Sequence, residues 1–574
     1  MSRSAADNGR GFRIRAWFVF AVLMLGASGL VAKAVRLQLV DRDFLNSKSD
    51  ARIMRKVYTG ANRGSIVDRN GTLLAISTPV ESVFTDPQEL NEFPDRWAEL
   101  ASALGRKRDD FQQRIASNQK AHFLWLARQI SPAEGAAIRK LNIPAVHLTR
   151  VQKRFYPAGE VVSHVVGFTN VDEDGQEGAE LMFDSWLAGE QGIKTVYQDR
   201  AGRHVEDIDN IVTARPGREL TLSLDMRLQN LANRELKAAI KANNAHAGWI
   251  VMIDVLTGEI LALANQPTFN PNDRAMLVPK MYRNRAVTDI FEPGSSIKPF
   301  VMAAALESGL FNEASRIDVS QGFVKVGSRV VQDEHRQGIL DLTGVLTVSS
   351  NAAMARISQQ LKPELIWSVL SRFGFGHVTA SEFRGESAGI LSNYSTWKVE
   401  QIASLSYGYG LSITPLQLAQ GYAALGALGV MRPLTIQRRV EAVPGERVVS
   451  EEVARKLIHM MESVVQDGTG TKAAIPGYRV AGKTGTAKKS NGAGGYYDDR
   501  YFAIFGGVAP ATNPRLATVV VIDEPSTGRY YGGEVSAPVF AKVMGGALRL
   551  LGVAPDAATS PGDLSADAPI VVRR

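Results

Sequence analysis

Glu292-Pro293-Gly294-Ser295-Ser296-Ile297-Lys298 is the stretch on which the reading of this chain turns. Pro293 and Gly294 break the chain, and Ile297 to Ala305 is compatible with a helix, so Ser295 opens a helix and Lys298, three residues on, shares its face. A serine hydroxyl is a weak nucleophile at neutral pH and needs a nearby base. Lysine can serve only if it is neutral part of the time, which requires burial or a second cation close by. A helix N-terminus adds positive potential where negative charge develops on an attacked carbonyl. The spacing has no weight by itself, because Ser117 to Lys120 and Ser395 to Lys398 repeat it.

Two further motifs, in order along the chain, give it weight. Ser349-Ser350-Asn351 offers a hydroxyl able to relay a proton and an amide able to hold a peptide backbone, on one side of an extended or turn segment. Lys483-Thr484-Gly485-Thr486 reads as an edge strand whose glycine permits close approach. Its hydroxyls and ammonium can bind a carboxylate, its N–H groups can act as oxyanion donors, and Lys483 is the candidate second cation. Taken singly, each motif has an ordinary alternative: a helix start with a surface lysine, a turn or cap, a plain strand. Order and combination point to serine acyl transfer.

Ahead of this lies a charge-free run, Ala16 to Ala32, AWFVFAVLMLGASGLVA, preceded by Arg3, Arg10, Arg13 and Arg15 against a single Asp7. A spanning helix needs about 20 apolar residues, and Lys33 can snorkel so that the span reaches Val35. The arginines keep residues 1–15 in the cytoplasm and place everything after the span at 16–35 outside. A cleaved signal peptide ending at Ala32-Lys33-Ala34 is the alternative; the run is long for one and the lysine is out of place in a cleavage triplet.

Length and composition bound the rest. At 574 residues with 45% hydrophobic content, two or more domains are expected. The absence of cysteine excludes disulfides, thiolate catalysis, Cys-ligated zinc and a lipidated N-terminal cysteine. The net charge of +8 favours anionic partners, but the lysines and arginines are spread along the chain as solvated surface and no nucleic-acid motif is found. The eight histidines show no HExxH spacing, and Gly468-Thr469-Gly470 precedes no phosphate-loop lysine, so neither a catalytic zinc nor a nucleotide cofactor is expected.

Asn62-Arg63-Gly64 and Arg69-Asn70-Gly71 are turn signals around the short strand Ser65-Ile66-Val67, and helical patterns come next between Glu89 and Asn142, with Pro94 and Pro132 near their starts. Arg154 to Pro157 and His164 to Phe168 return to short strands and turns. Leu220 to Asp225 alternates like a strand and leads into a helix from Arg227 to about Asn243. Trp249 to Asp254 and Glu259 to Ala264 form a hairpin. Strands from Phe502 onward and at Val519 to Asp523 complete its sheet after a helical insertion between about Lys298 and Glu462. The expected architecture is a membrane-anchored multidomain chain of α+β and α/β type: a mixed α/β pedestal over 36–218, then a catalytic domain over 219–551 with a sheet sandwiched by helices plus a helical lobe. Residues 552–574, rich in Pro, Ala, Asp and Ser, read as a disordered tail.

The three motifs match those of penicillin-binding proteins and serine β-lactamases. Ser350 stands where β-lactamases often carry Asp, which favours a transpeptidase. Arg63 to Gly71, Gly167-Phe168-Thr169-Asn170, Gly175-Gln176-Glu177-Gly178, Tyr407-Gly408-Tyr409-Gly410 and Tyr530-Tyr531-Gly532-Gly533 extend the resemblance from Ala16 to about Leu551. The chain resembles class B penicillin-binding proteins of the division-specific FtsI type. The resemblance implies an antiparallel penicillin-binding transpeptidase fold on a dimerisation-type pedestal, and a peptidoglycan D,D-transpeptidase of the inner membrane, its catalytic domain periplasmic at the division site. Ser295 would be the nucleophile and Lys298 the base, with Ser349 and Lys483 in proton transfer and Asn351 on the donor peptide. Ser295 and Thr486 N–H groups would form the oxyanion hole. Thr484, Gly485 and Thr486 would meet the substrate carboxylate, and Tyr409, Tyr530 and Tyr531 would wall the cleft. Implied partners are stem peptides ending in D-Ala-D-Ala, β-lactams, a polytopic glycosyltransferase reached through the anchor and first domain, and other division proteins; changes around Arg63 to Gly71 are expected to disturb partner activation and leave penicillin acylation largely intact. An elongation-specific transpeptidase, a catalytically silent scaffold, and a β-lactamase or carboxypeptidase remain open.

Overall fold

The computed structural model describes residues 8–40, 54–198 and 204–557, which fall into two compact units, one of residues up to 62 with 189–217 and the other of 63–188 with 218 onward. The first contains an α-helix, Asn8–Val35, that continues as a π-turn to Val40. Its stretch Phe12–Leu39 is long and apolar enough to cross a membrane, and Trp17, Phe18, Phe20, Leu23 and Leu25 are exposed around its whole circumference, as a lipid-facing helix requires. The same unit holds an antiparallel sheet of Met54–Thr59, Gly192–Gln198 and His204–Val212.

The second unit opens with a small lobe. Strand Leu73–Thr85 pairs with Ile66–Val67, Leu124–Ile130 and Val146–Phe155, over a core of Val83, Leu100, Phe111, Ile115, Leu126 and Ile138. Helix Pro132–Leu141 starts where its sequence says it should: Ser131 and Glu134 form a capping box and Pro132 occupies the first turn. Leu220–Thr221, a shorter strand than the alternation to Asp225 implied, pairs in parallel with Ile66–Val67. His164 to Phe168 also departs from expectation, since Ser163–Val166 is one helical turn.

The stretch 63–71 ties distant segments together. Arg63 is 6% exposed, with Nε on Glu180 (2.7 Å) and Nη1 on Asp184 (2.8 Å), while Arg154 binds the other oxygen of the fully buried Glu180 (2.6 Å). Asp68, also fully buried, accepts from the N–H of Met226, the first residue of the next domain's opening helix. The ion cluster ties residues 63–188 to one another and the Asp68 bond ties them to the catalytic fold, while 189–217 groups with the N-terminal residues.

That fold is built on five antiparallel strands: β1 (Ala247–Asp254), β2 (Ile260–Gln266), β3 (Ala481–Ser490), β4 (Tyr496–Ala509) and β5 (Leu516–Asp523), in spatial order β2-β1-β5-β4-β3. Both faces are covered, so β1, β2 and β5 are buried at every position and alternation survives only in which core each residue joins. Trp249, Val251 and Ile253 face one core with the helices Lys298–Glu307 and Pro415–Gly426. Ile250 and Met252 face the other, with Met226–Ala242 and Ala537–Leu550. Between β2 and β3 lies the helical lobe, including Leu342–Thr347, Asn351–Gln360 and Pro363–Arg372, with a small hairpin of Phe323–Val326 and Arg329–Gln332. The start of the expected tail is ordered: Asp556 accepts from the Arg479 N–H and the Thr512 hydroxyl (2.7 Å each), because one carboxylate meets donors a Pro/Ala-rich composition does not foreshadow. Residues 558–574 of that tail lie outside the described residues.

Candidate active site

Gly294–Ile297 is a single 3-10 turn, and the α-helix proper begins at Lys298, so Ser295 precedes the helix instead of opening it. Gly294 has φ +52, and a Cβ there would lie 2.9 Å from Thr486 O, so glycine lets the turn rest against β3. Ser296 is fully buried and locks the turn: its hydroxyl donates to Pro293 O (2.7 Å), and its carbonyl accepts from Tyr422 OH (2.9 Å). Ser295 is left to line a cleft of about 460 Å³.

Two fully buried lysines converge behind that cleft. Lys298 Nζ donates to Ser349 O (2.5 Å), Asn351 Oδ1 (2.8 Å) and Ser349 Oγ (3.2 Å); Lys483 Nζ donates to Ser349 Oγ (2.9 Å) and to Thr484 O (3.3 Å). Burial pushes Lys298 down to about 7, against the pull of Asp333 and Glu334 toward its charged form. Lys483 is driven well below its ordinary value, by burial first and then by repulsion from Lys298. Burial is thus the main cause for both lysines, and the repulsion falls on Lys483, the residue expected to lower Lys298. Ser349 is not extended: it sits at φ +61, Ser350 caps the next helix, and Asn351 is that helix's first residue.

The strand β3 is the edge of the sheet, as its motif implied. The close approach that Gly485 permits is to the nucleophile turn, because a Cβ there would lie 2.8 Å from Pro293 O and 3.1 Å from Ser296 Cβ. Thr484 Oγ1 shares a hydrogen bond with Thr469 Oγ1 (2.7 Å), and Thr486 Oγ1 accepts from the Gly532 N–H (3.1 Å). Both threonines line the cleft with Ser295, Ser349, Asn351 and Tyr531. Tyr531 OH donates to Glu334 Oε1 (3.2 Å). Tyr530 does not line the cleft; it stacks between Tyr501 (4.2 Å) and Tyr531 (4.6 Å). Tyr409 lies in an adjoining hollow of about 370 Å³ with Tyr407, Trp397 and Tyr496, where its hydroxyl accepts from the Lys488 N–H (3.3 Å).

Sequence reading missed Asp333, Glu334, His335 and Gln337, and also Thr469, Thr471, Lys472 and Glu534, all of which line the cleft. Of these, only Thr469 lay in a stretch singled out in the sequence, Gly468-Thr469-Gly470, considered and set aside as a phosphate loop. Asp333, Glu334, His335 and Gln337 sit in a loop, Thr471 and Lys472 in a 3-10 turn and Glu534 in the short helix Gly532–Val535, and all reach the cleft through the packing of elements distant in sequence.

Residues 248–545 match the penicillin binding protein transpeptidase domain and residues 58–222 the penicillin-binding protein dimerisation domain. The peptidoglycan D,D-transpeptidase FtsI of Escherichia coli K12 is 43% identical over 544 residues, 94% of this chain and 92% of the relative. The probable peptidoglycan D,D-transpeptidase PenA of Neisseria meningitidis serogroup A is 39% identical over 94% of this chain and 93% of its own. Among solved structures, penicillin binding protein 3 of Mycobacterium tuberculosis, complexed with aztreonam, superposes with a TM-score of 0.67 at 29% identity, covering 87% of this chain and 98% of its own. The chain belongs to the class B penicillin-binding proteins, the family of FtsI-type peptidoglycan D,D-transpeptidases.

Proposed function

We propose that this chain is a septal peptidoglycan D,D-transpeptidase, held in the bacterial inner membrane by its N-terminal helix with residues 1–15 cytoplasmic and the catalytic domain periplasmic at the division site. One observation carries the chemistry: two buried lysines from different elements meet on the hydroxyl of Ser349, in the cleft that Ser295 lines. A lysine held near neutrality by burial is a competent base at physiological pH.

In this reading Ser295 Oγ attacks the carbonyl carbon of the penultimate D-Ala of a stem peptide and its proton passes to Lys298. The N–H groups of Ser295 and Thr486 hold the oxyanion, while Thr484 and Thr486 hold the terminal carboxylate. When the C–N bond breaks, the leaving D-Ala amine takes a proton through Ser349 and Lys483, and Asn351 holds the donor backbone. An amine of a neighbouring stem peptide then attacks the Ser295 ester, forming the cross-link and freeing the serine. A β-lactam enters by the same first step and stays bound. A polytopic glycosyltransferase and other division proteins are the partners proposed in the membrane. Depletion separates this role from cell elongation, with filaments expected and round cells contradicting it.

The decisive experiment is incubation with a labelled penicillin, beside Ser295→Ala, and peptide mass spectrometry of the adduct. A long-lived adduct on Ser295, absent from the variant, is expected; a folded protein that forms none would leave the silent-scaffold reading in its place.

A further inference from the structure

Asp333 ends the small hairpin, where its N–H donates to Gly322 O (3.0 Å). From there its carboxylate reaches the turn that carries Ser349. Oδ1 accepts from the N–H groups of Asn351 (2.6 Å) and Ala352 (2.9 Å), and Oδ2 accepts from the Ser350 hydroxyl (2.5 Å). Three donors of the first helical turn thus rest on one carboxylate supplied by another element. The residue just before them, Ser349, is in the left-handed region, a conformation that a non-glycine residue keeps only when its surroundings hold it. That conformation accompanies the approach of Ser349 O and Asn351 Oδ1 to Lys298 Nζ.

We propose that Asp333 is a positioning residue of the acyl-transfer reaction: its carboxylate holds the Ser349–Asn351 turn against the two lysines, and its negative charge sets how readily Lys298 gives up its proton. The inference rests on the reading of Ser295 as nucleophile and Lys298 as base. Two charged groups besides Asp333 bear on Lys298 or on its partners. Lys483 approaches the same Ser349 hydroxyl from β3. Glu334, next to Asp333, accepts from Tyr531 and favours the charged form of Lys298, as Asp333 does. The two acids therefore oppose burial, and removing the charge of Asp333 makes Lys298 easier to deprotonate.

Asp333→Asn keeps an oxygen for the two N–H donors and loses the charge; Asp333→Ala loses both. The full-length protein in detergent micelles is acylated with a fluorescent penicillin across the pH range in which Lys298 titrates, and unfolding midpoints are recorded alongside. The acid limb of the acylation rate is expected to move to lower pH by about one unit in Asp333→Asn. In Asp333→Ala the plateau is expected to fall by roughly 10- to 100-fold, from lost charge-assisted hydrogen bonds. An unmoved acid limb in a folded Asp333→Asn overturns the proposal, as does a loss in Asp333→Ala that only tracks the fraction unfolded. Should Asp333→Ala fail to fold, the limb of Asp333→Asn decides. A wild-type protein that forms no Ser295 adduct would instead sink the underlying assignment of nucleophile and base, a separate and recognisable result.

Discussion

Lys298 and Lys483 share one hydroxyl, both are fully buried, and two buried ammonium groups held that close disfavour each other's charged form. Lys298 is depressed to about 7, so its neutral, basic form is the minority below that pH and the majority above it. The acylation rate should therefore climb as pH rises through about 7 and then level off; a rate flat from mildly acidic to mildly alkaline pH would deny Lys298 the role of base. Gly485 makes a different point at the same scale. Alanine there would put a methyl within 3.1 Å of both Pro293 O and Ser296 Cβ, forcing the nucleophile turn away from β3. A displacement on the order of 1 Å costs about 100-fold in rate, so Gly485→Ala should retain its fold and lose acylation on that scale in a stopped-flow assay.

At the scale of elements, the site is a junction of three pieces: a 3-10 turn, a helix N-terminus and an edge strand. What holds the junction is the helix Pro415–Gly426, buried at every residue, whose Tyr422 reaches through the core to the carbonyl of Ser296. Tyr422 fits because β4 carries Gly506, where a Cβ would lie 2.4 Å from the ring. Gly506→Ala overpacks this contact at a cost of about 1–3 kcal/mol. It should lower the thermal midpoint and slow acylation together, since the ring it displaces also braces the nucleophile turn. A variant that loses only stability would show that the Tyr422 bond has no part in aiming Ser295. The edge position of β3 matters for substrate as well, because an unpaired strand edge can receive an extended peptide as an added strand.

For the whole molecule, Arg63 joins the buried Glu180 and the partly exposed Asp184 across more than 100 residues of chain, and Arg154 completes the cluster on Glu180. Removing Arg63 strips the buried Glu180 of one of its two guanidinium partners, while Arg154 stays on its other oxygen, at a cost of about 1.5–3 kcal/mol for the lost charge-assisted hydrogen bonds. Arg63→Ala should thus unfold at distinctly lower temperature or denaturant, while whatever remains folded is acylated at the wild-type rate. Equal rates and equal stability would reduce the cluster to an ornament of the fold. The contrast between this stretch and the catalytic motifs shows what a sequence can carry. Ser295, Lys298, Ser349, Asn351, Lys483, Thr484 and Thr486 were legible because acyl transfer needs particular functional groups, and the local spacing of those groups survives in the chain. The apolar helix, the β1–β2 hairpin and the capped helix Pro132–Leu141 were legible for a similar reason: hydrophobic runs and cap residues act over a few residues. Arg63, by contrast, read as part of an exposed turn, since its partners Glu180 and Asp184 lie far along the chain. Asp333 and Thr469 reach the cleft through loops without a pattern, and Tyr409 and Tyr530 find their neighbours only through the packing around them. The sequence by itself thus determined the motif residues that gather at the cleft, the long apolar helix near the N-terminus and the class of fold. The burial that depresses the two lysines, the left-handed turn at Ser349 and the ion cluster were decided by tertiary structure alone, because desolvation and long-range pairing exist only once distant segments have closed around them.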